Sequence, residues 1–256
     1  MTTVIAVTNQ KGGVGKTTTA VNLAYYLAKN GKKTLLIDFD PQGNATSGLG
    51  VDKQSLNLTM ADVAMGTATL DTIVMETAHK NLYLAPTTPC LADIEVQLAG
   101  ADKRFSRLKM AIEASAGGYD VVIIDSPPSL SILTVNGLIA AKHVLLPVQA
   151  EFYALEGLGQ LLETMKLVRK AMNPTLELLG VLPTMMDTRT TLSGQVHQEI
   201  KKHFPGKVFD TVIPRNIRLA EAPSHGLPIG AYDKFSKGAR AYKAFTKEVM
   251  SRANIE

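Results

Sequence analysis

The feature that most constrains the fold is a glycine-rich turn between an apolar β-branched run and a helix-like run. Residues 3–8 read TVIAVT, and residues 11–18 read KGGVGKTT. Residues 16–29 then carry apolar side chains at helical spacing and are followed by Gly31. Glycines allow backbone N–H groups to turn inward, and the start of a helix adds partial positive charge. A strand, such a turn and a helix in this order predict a phosphate-binding loop.

The positions of this loop suggest separate roles in holding a nucleotide and its metal ion. Lys16 is expected to reach the β- and γ-phosphates, and Thr17 to place its hydroxyl on Mg²⁺. The other expected phosphate contacts are Gly12, Gly13, Val14, Gly15 and Thr18. The usual pattern has its first glycine where this chain has Gln10, and Lys11 follows that break. Taken without the rest of the loop, Lys11 would be an ordinary exposed lysine.

Aspartates follow two further apolar runs. Asp38 and Asp40 close the stretch LLIDFD, and residues two apart on an extended chain point the same way. Both can therefore face the crevice at the carboxyl end of a parallel sheet, where ligands bind. Asp125 ends VVIID, the form of a Walker B strand, and is expected to hold Mg²⁺ through water. A lone aspartate after a strand more often forms a turn, but the phosphate loop favours a functional role.

Short apolar runs alternate with helical stretches along the chain. The runs lie at 3–8, 34–38, 82–86, 120–125, 143–148 and 176–184, and the helical stretches at 16–29, 154–172, 191–204 and 236–253. This alternation predicts an α/β fold with a doubly wound, mostly parallel sheet flanked by helices. No linker or repeat divides the chain, so residues 1–256 are expected to form a single domain. No apolar run is long enough to predict a membrane span.

Charge is unevenly distributed. Residues 1–186 hold 15 Lys and Arg against 16 Asp and Glu, whereas residues 187–256 hold 12 against 7. This balance indicates a basic surface in the last quarter of the chain, although a solvated face of mixed charge is an equally good interpretation. The single cysteine, Cys90, excludes an internal disulfide and fits a reducing cytoplasm, and no secretory signal opens the sequence.

The loop with Lys11 at its start resembles the deviant Walker A motif, KGGxGKT/S, of the ParA/MinD group of P-loop ATPases. The segments DFDPQGNATSGLG, DSPPSL, PVQAEFYALEGL and PRNIRLAEAPSHG narrow the resemblance to Soj-type ParA partition ATPases, over about residues 4–245. The resemblance implies ATP or ADP with Mg²⁺ as cofactors, and an ATP-bound homodimer in which Lys11 reaches the partner's nucleotide. It also implies that Asp40 positions the attacking water near the metal, with Asp38 as a supporting carboxylate.

The same resemblance extends to the base, to DNA and to a partner. It implies that Pro214 and Asn216 contact the base, although Asn216 could equally be a turn residue. It implies non-specific binding of duplex DNA, with Arg189 and Arg218 as the expected contacts on the basic surface. Stimulation of hydrolysis by a ParB-type partner, an output in chromosome or plasmid segregation, and a cytoplasmic, nucleoid-associated location follow from it.

Three relatives of the group are weighed by what they would require. A nitrogenase iron protein needs several cysteines for its cluster. A MinD-like positioning ATPase would end in a membrane-binding amphipathic helix, whereas Phe245 and Val249 lie on a stripe that looks packed on its own domain. We therefore expect no membrane partner. A MinD-like, membrane-associated positioning ATPase remains the alternative function. An amidoligase of the cobyrinate-synthase type would need a substrate pocket and a glutamine-handling domain, for which the chain shows no room.

Overall fold

A seven-stranded sheet lies at the centre of the computed structural model, which describes residues 2–98, 100–151, 158–187 and 190–256. Its strands are β1 (Thr3–Val7), β2 (Thr34–Asp38), β3 (Met75–Glu76), β4 (Leu82–Ala85), β5 (Val121–Asp125), β6 (His143–Gln149) and β7 (Glu177–Thr184). They follow the order β3-β4-β2-β5-β1-β6-β7. Neighbouring strands are parallel except for β3 with β4. The prediction of a mostly parallel sheet is confirmed.

Helices connect the strands and cover both faces. They are α1 (Lys16–Lys29), α2 (Asn44–Gly48), α3 (Met60–Met65), α4 (Leu70–Ile73), α5 (Cys90–Leu98), α6 (Arg107–Ala114), α7 (Ile132–Ala140), α8 (Leu158–Ala171), α9 (Thr191–His203), α10 (Ile217–Glu221), α11 (Ile229–Tyr232) and α12 (Lys237–Arg252). Four of them lie where helical stretches were predicted. The first residues of the predicted stretch 154–172 lie outside the described residues.

The doubly wound arrangement follows from apolar side chains on both faces of the central strands. Successive strand residues point to opposite faces, so an all-apolar strand requires cover on each side. Val4 of β1 belongs to a core cluster shared with α3, α6, α7 and α8. Its neighbour Ile5 belongs to a second cluster, shared with α1 and α12. The predicted doubly wound fold is therefore confirmed.

Three strand ends meet where α1 begins. In the parallel register Val7 pairs with Asp125, and Asp125 pairs with Asp38. The loop after β1 leads directly into α1 at Lys16. The carboxyl ends of β1, β2 and β5 consequently bring the loop and the aspartates together at one edge of the sheet, the usual ligand-binding edge of such folds.

The last helix packs on the body of the sheet. Phe245 and Val249 are fully buried, and the Tyr242 hydroxyl lies 3.1 Å from the Thr19 hydroxyl of α1. The apolar stripe seen in the sequence is thus covered by the protein itself. Among the described residues, no helix combines the length and the apolar character that crossing a bilayer requires.

Candidate functional site

The loop between β1 and α1 has the backbone that its glycines allow. Gly13 and Gly15 have φ angles of +74° and +89°, in the left-handed region that residues with a Cβ avoid. The carbonyl oxygen of Val14 accepts a hydrogen bond of 2.8 Å from the Thr184 hydroxyl at the end of β7. The Asn9 amide donates to the Pro147 carbonyl at 2.8 Å. Contacts with two distant strands thus hold the loop in a preformed shape.

The two lysines of the loop occupy different environments. Lys16 is only 6% exposed, and its Nζ donates to the Lys11 carbonyl oxygen at 3.1 Å. Burial lowers the pKa of Lys16, while the nearby carboxylates of Asp125 and Asp40 oppose that change. The Lys11 side chain is 37% exposed, and its Nζ lies 3.0 Å from Oε2 of Glu151. Lys16 therefore belongs to the interior of the site, and Lys11 to its mouth.

Asp38 and Asp125 are buried carboxyl groups side by side on neighbouring strands. Oδ2 of Asp38 accepts from both the backbone N–H and the hydroxyl of Thr46, each at 2.7 Å. Burial nevertheless raises the pKa of Asp38 to about 6. Burial, with the charge of Asp38, also raises the pKa of Asp125 well above its usual range. The carboxyl groups of Asp38 and Asp125 therefore ionise less readily than exposed aspartates do.

The oxygens of Asp125 fit a role beside a hydrated cation. Both are buried and have no hydrogen-bond partner among the described residues, a rare situation for a carboxyl group. The Thr17 hydroxyl lies beside Asp125 and partly offsets the rise in its pKa, although the pair falls short of hydrogen-bond geometry. In the described part of the chain, no three His, Cys, Asp or Glu residues converge as a metal site. Mg²⁺ would then depend on phosphate, the Thr17 hydroxyl and water, as this ion commonly does.

A cavity of about 270 Å³ joins these elements. Its lining includes Gly12, Gly13, Gly15, Lys16, Thr17, Thr18, Asp40, Gln42, Asn44, Pro128 and Met185. Asp40 is 5% exposed, and its Oδ1 accepts from the Gln42 backbone N–H at 3.0 Å. The structure thus brings the loop, Asp40 and the segment after Asp125 together around one space.

A second cavity, of about 460 Å³, adjoins the loop and includes the predicted base contacts. Pro214 and Asn216 line it together with Gly15 and Thr18. Oδ1 of Asn216 also accepts from the Arg218 backbone N–H at 3.0 Å and so caps α10. The sequence analysis missed Met185 and Tyr242, which also line this cavity. No local pattern marks these two residues, because they reach the cavity from separate elements.

The predicted DNA contacts differ in what the structure says of them. Arg189 lies outside the described residues. The Arg218 side chain is 50% exposed, with Nη1 at 2.9 Å from Glu221 Oε2 and Nε at 3.7 Å from Asp233 Oδ2. Arg218 is therefore available on the surface, but acidic neighbours balance part of its charge.

Comparisons with known proteins identify the family of the chain. The family model described as "AAA domain" matches residues 2–178. The chain is 53% identical to the sporulation initiation inhibitor protein Soj of Bacillus subtilis, over 97% of this chain and 98% of that protein. It is 46% identical to the chromosome partitioning protein ParA of Myxococcus xanthus, over 97% of this chain and 88% of that protein.

A solved structure is also similar over nearly the whole chain. It is described as cobyrinic acid a,c-diamide synthase from Mycobacterium smegmatis with bound ADP and magnesium. The sequence identity is 39% and the TM-score 0.85, over 96% of this chain and 93% of that one. These similarities confirm the expected ATPase activity, with ATP or ADP and Mg²⁺ as cofactors. The chain belongs to the Soj/ParA family of chromosome-partitioning ATPases.

Proposed function

We propose that this partitioning ATPase is a nucleotide-controlled dimer that binds DNA. Two ATP-loaded subunits pair face to face, and each contributes Lys11 to the phosphates held by the other. The dimer binds duplex DNA without sequence preference and drives segregation of a chromosome or plasmid from a cytoplasmic, nucleoid-associated location. Hydrolysis, stimulated by a ParB-type partner, separates the subunits and releases the DNA.

The position of Lys11 is the observation that carries this proposal. Lys16 already occupies the interior of the loop, next to Asp40 and Asp125. Lys11 instead lies at the exposed mouth and pairs with Glu151. A second subunit that closed over this mouth would bring its own Lys11 toward the same phosphates. A cation supplied there stabilises the charge that develops during phosphoryl transfer.

Within one subunit the remaining residues have complementary roles. The loop backbone and Lys16 hold the phosphates, and Asp40 orients the attacking water from the wall of the same cavity. Thr17 and Asp125 would hold Mg²⁺, which neutralises charge between the β- and γ-phosphates when bound. The base would occupy the adjoining cavity beside Pro214 and Asn216. Phosphate contacts from Arg189, Arg218 and other cations of the last quarter would bind DNA without base reading.

The central test measures size and DNA binding in the same samples. Light scattering and a duplex-DNA gel shift are run without nucleotide, with ADP and with ATP. We expect dimers and DNA binding with ATP only, and a steep loss of binding as salt rises. DNA binding by a monomer, or binding that does not respond to salt, would contradict the proposal.

Replacing Asp40 with alanine should separate ATP binding from hydrolysis. Because Asp40 is assigned to the attacking water, turnover should fall by about a hundredfold or more, the usual range for positioned acid–base groups. The variant should remain an ATP-bound dimer on DNA. Asp93→Ala, an exposed position on α5, is the matched control and should leave turnover unchanged. Normal hydrolysis by Asp40→Ala would show that the assignment is wrong.

Two other functions give different outcomes in simple assays. A MinD-like ATPase would sediment with anionic liposomes in the presence of ATP and would not shift DNA.

The description of the Mycobacterium smegmatis structure favours an amidoligase as a second candidate. That activity would make ATP turnover depend on glutamine and a carboxylic acid substrate. Turnover that responds to DNA and not to glutamine supports partitioning.

A further inference from the structure

A cavity of about 270 Å³ lies between α3, α4 and α6, apart from the nucleotide site. Val63, Leu70 and Ala111 contribute to its apolar walls, and Met110 stands 43% exposed at its rim. Its helices pack on the face of the sheet opposite α1 and α12. The cavity is therefore separate from the nucleotide site and from α12.

Arg107 is the unusual member of this cavity. Its Nε is buried and has no hydrogen-bond partner among the described residues. None of the described carboxylates lies within ion-pair distance of its guanidinium. One terminal nitrogen, Nη1, passes close to the backbone at Gly66. Buried hydrogen-bond donors are normally paired. Because Arg107 lines a cavity and has an unpaired N–H group, it can donate hydrogen bonds to a ligand that enters the cavity.

The acidic residue of the cavity does not fill this role. Asp71 accepts from the Ser115 hydroxyl and from the Ala116 backbone N–H, and these bonds lower its pKa. Its oxygens therefore bind the end of α6 rather than Arg107. The charge of Arg107 remains available to a ligand.

Size and chemistry together select the ligand class. Small-molecule sites usually have volumes of about 300–1,000 Å³, so this cavity, at about 270 Å³, lies just below that range and suits one or two side chains. The guanidinium of Arg107 favours a planar carboxylate as its ligand, because the two groups can form paired hydrogen bonds. The apolar wall of the cavity calls for an adjacent hydrocarbon group.

We propose that this cavity is a docking site for a partner-protein segment that presents a glutamate or aspartate next to a leucine-like side chain. Arg107 pairs with the carboxylate, and the apolar side chain lies against Val63, Leu70 and Ala111.

The test uses two blocked peptides and the full chain labelled with ¹³C at the methionine methyl groups. The probe is N-acetyl-Ala-Leu-Glu-Leu-Ala-amide, and the matched peptide has glutamine in place of glutamate. When the glutamate peptide is titrated into the protein, we expect the chemical shift of the Met110 methyl group to change until it reaches a plateau. The affinity of this peptide should be about tenfold or more above that of the glutamine peptide, because a charge-assisted bond is lost. Equal affinities, or no shift at millimolar peptide, would overturn the proposal.

Variants distinguish a docking role from a structural one. Arg107→Gln should remove the preference for glutamate, whereas Arg104→Gln, three residues earlier on the exposed surface, should keep it. Ala114→Leu retains the arginine but narrows the cavity, and should weaken both peptides. If Arg107→Gln fails to fold, Ala114→Leu decides the question, since unchanged binding in that variant would place the peptide elsewhere.

Discussion

The nucleotide-binding edge of the sheet and the C-terminal quarter, residues 187–256, hold their charges in opposite ways. At the edge, Lys16, Asp38 and Asp125 are buried, and burial shifts the pKa of each. On the C-terminal surface Arg218 is half-exposed and shares its charge with Glu221. Buried charges act strongly on one another and on a ligand, whereas water and salt screen exposed ones. Substitutions at the edge should therefore have large effects, and substitutions on the surface graded ones.

The largest effect is expected from Lys16→Ala. Removing the buried cation leaves the phosphates without their internal partner, so nucleotide affinity should fall at least about a hundredfold, the scale of a lost buried charge contact. Dimerisation and DNA binding should be lost with it. Lys11→Ala is the matched control: calorimetric ATP affinity of the monomer should change little, while hydrolysis falls. Equal losses of affinity in both variants would remove the distinction between interior and mouth.

Asp38→Asn should stabilise the nucleotide-free protein near pH 7. The folded pKa of about 6 lies above the ordinary value of 3.8, so ionisation of Asp38 opposes folding. The protonated carboxyl of Asp38 contributes to the stability of the fold. This contribution is complete below pH 3.8 and is lost as the pH rises through 6. The neutral variant should gain about 3 kcal/mol at pH 7, since each pKa unit corresponds to about 1.4 kcal/mol. It should also flatten the decline in stability between pH 4 and 6, measured by urea unfolding.

Asp71→Asn provides the opposite sign as a control. Hydrogen bonds from Ser115 and Ala116 lower the pKa of Asp71, so its ionisation favours folding above its ordinary pKa. That contribution is lost as the pH falls through the lowered value. The Asn variant should consequently be slightly less stable at pH 7. A gain in stability in both variants would show that burial does not explain the behaviour of Asp38.

Arg218→Gln should have a moderate effect, confined to DNA. Loss of one phosphate contact should weaken binding several-fold and reduce the salt slope by about 1. Calorimetric ATP affinity should not change, because the side chain pairs with Glu221 and Asp233 and lines neither cavity of the candidate site. Lys80→Gln, a charge change outside the C-terminal quarter, should leave DNA binding as it was. Unaltered DNA binding by Arg218→Gln would limit Arg218 to its ion pairs.

The smallest effect is expected for the pair formed by Lys11 and Glu151. Both side chains are partly exposed, and such ion pairs are usually worth about 0–1 kcal/mol. A double-mutant cycle on the nucleotide-free monomer, with Lys11→Met and Glu151→Gln, should give a coupling energy in that range. A substantially larger coupling would mean that Glu151 restrains Lys11 before dimerisation.

Much of the fold was predictable because its signals are local. Helix α1 was predicted with its observed bounds, and the central strands to within a residue or two. Strand β3 was missed, because two residues are too short to show a periodic pattern. Helix α7 was also missed. Its residues are almost all apolar, since it is covered by the sheet and by neighbouring helices, so the polar face that reveals a surface helix is absent.

The sequence predicted the part of the candidate site whose residues directly follow strands, because the ends of neighbouring parallel strands lie close together. A loop after one parallel strand and aspartates after two others must meet at the carboxyl edge once those strands are neighbours. Tyr242 could not be placed there in the same way. Its position in the sequence indicates only a buried helix stripe, and its place in the cavity beside Pro214 and Asn216 depends on how α12 packs against α1.

The sequence by itself determined the strand–loop–helix unit, the turns at Gly13 and Gly15 and the placement of aspartates at strand ends. These features depend on backbone conformation and side-chain alternation, which act over a few residues. Only the tertiary structure decided which charge meets which. Glu151 approaches Lys11 from 140 residues away, whereas Arg107 remains without a carboxylate among the described residues. Charge partners depend on the packing of distant segments, and no local pattern in the sequence encodes that packing.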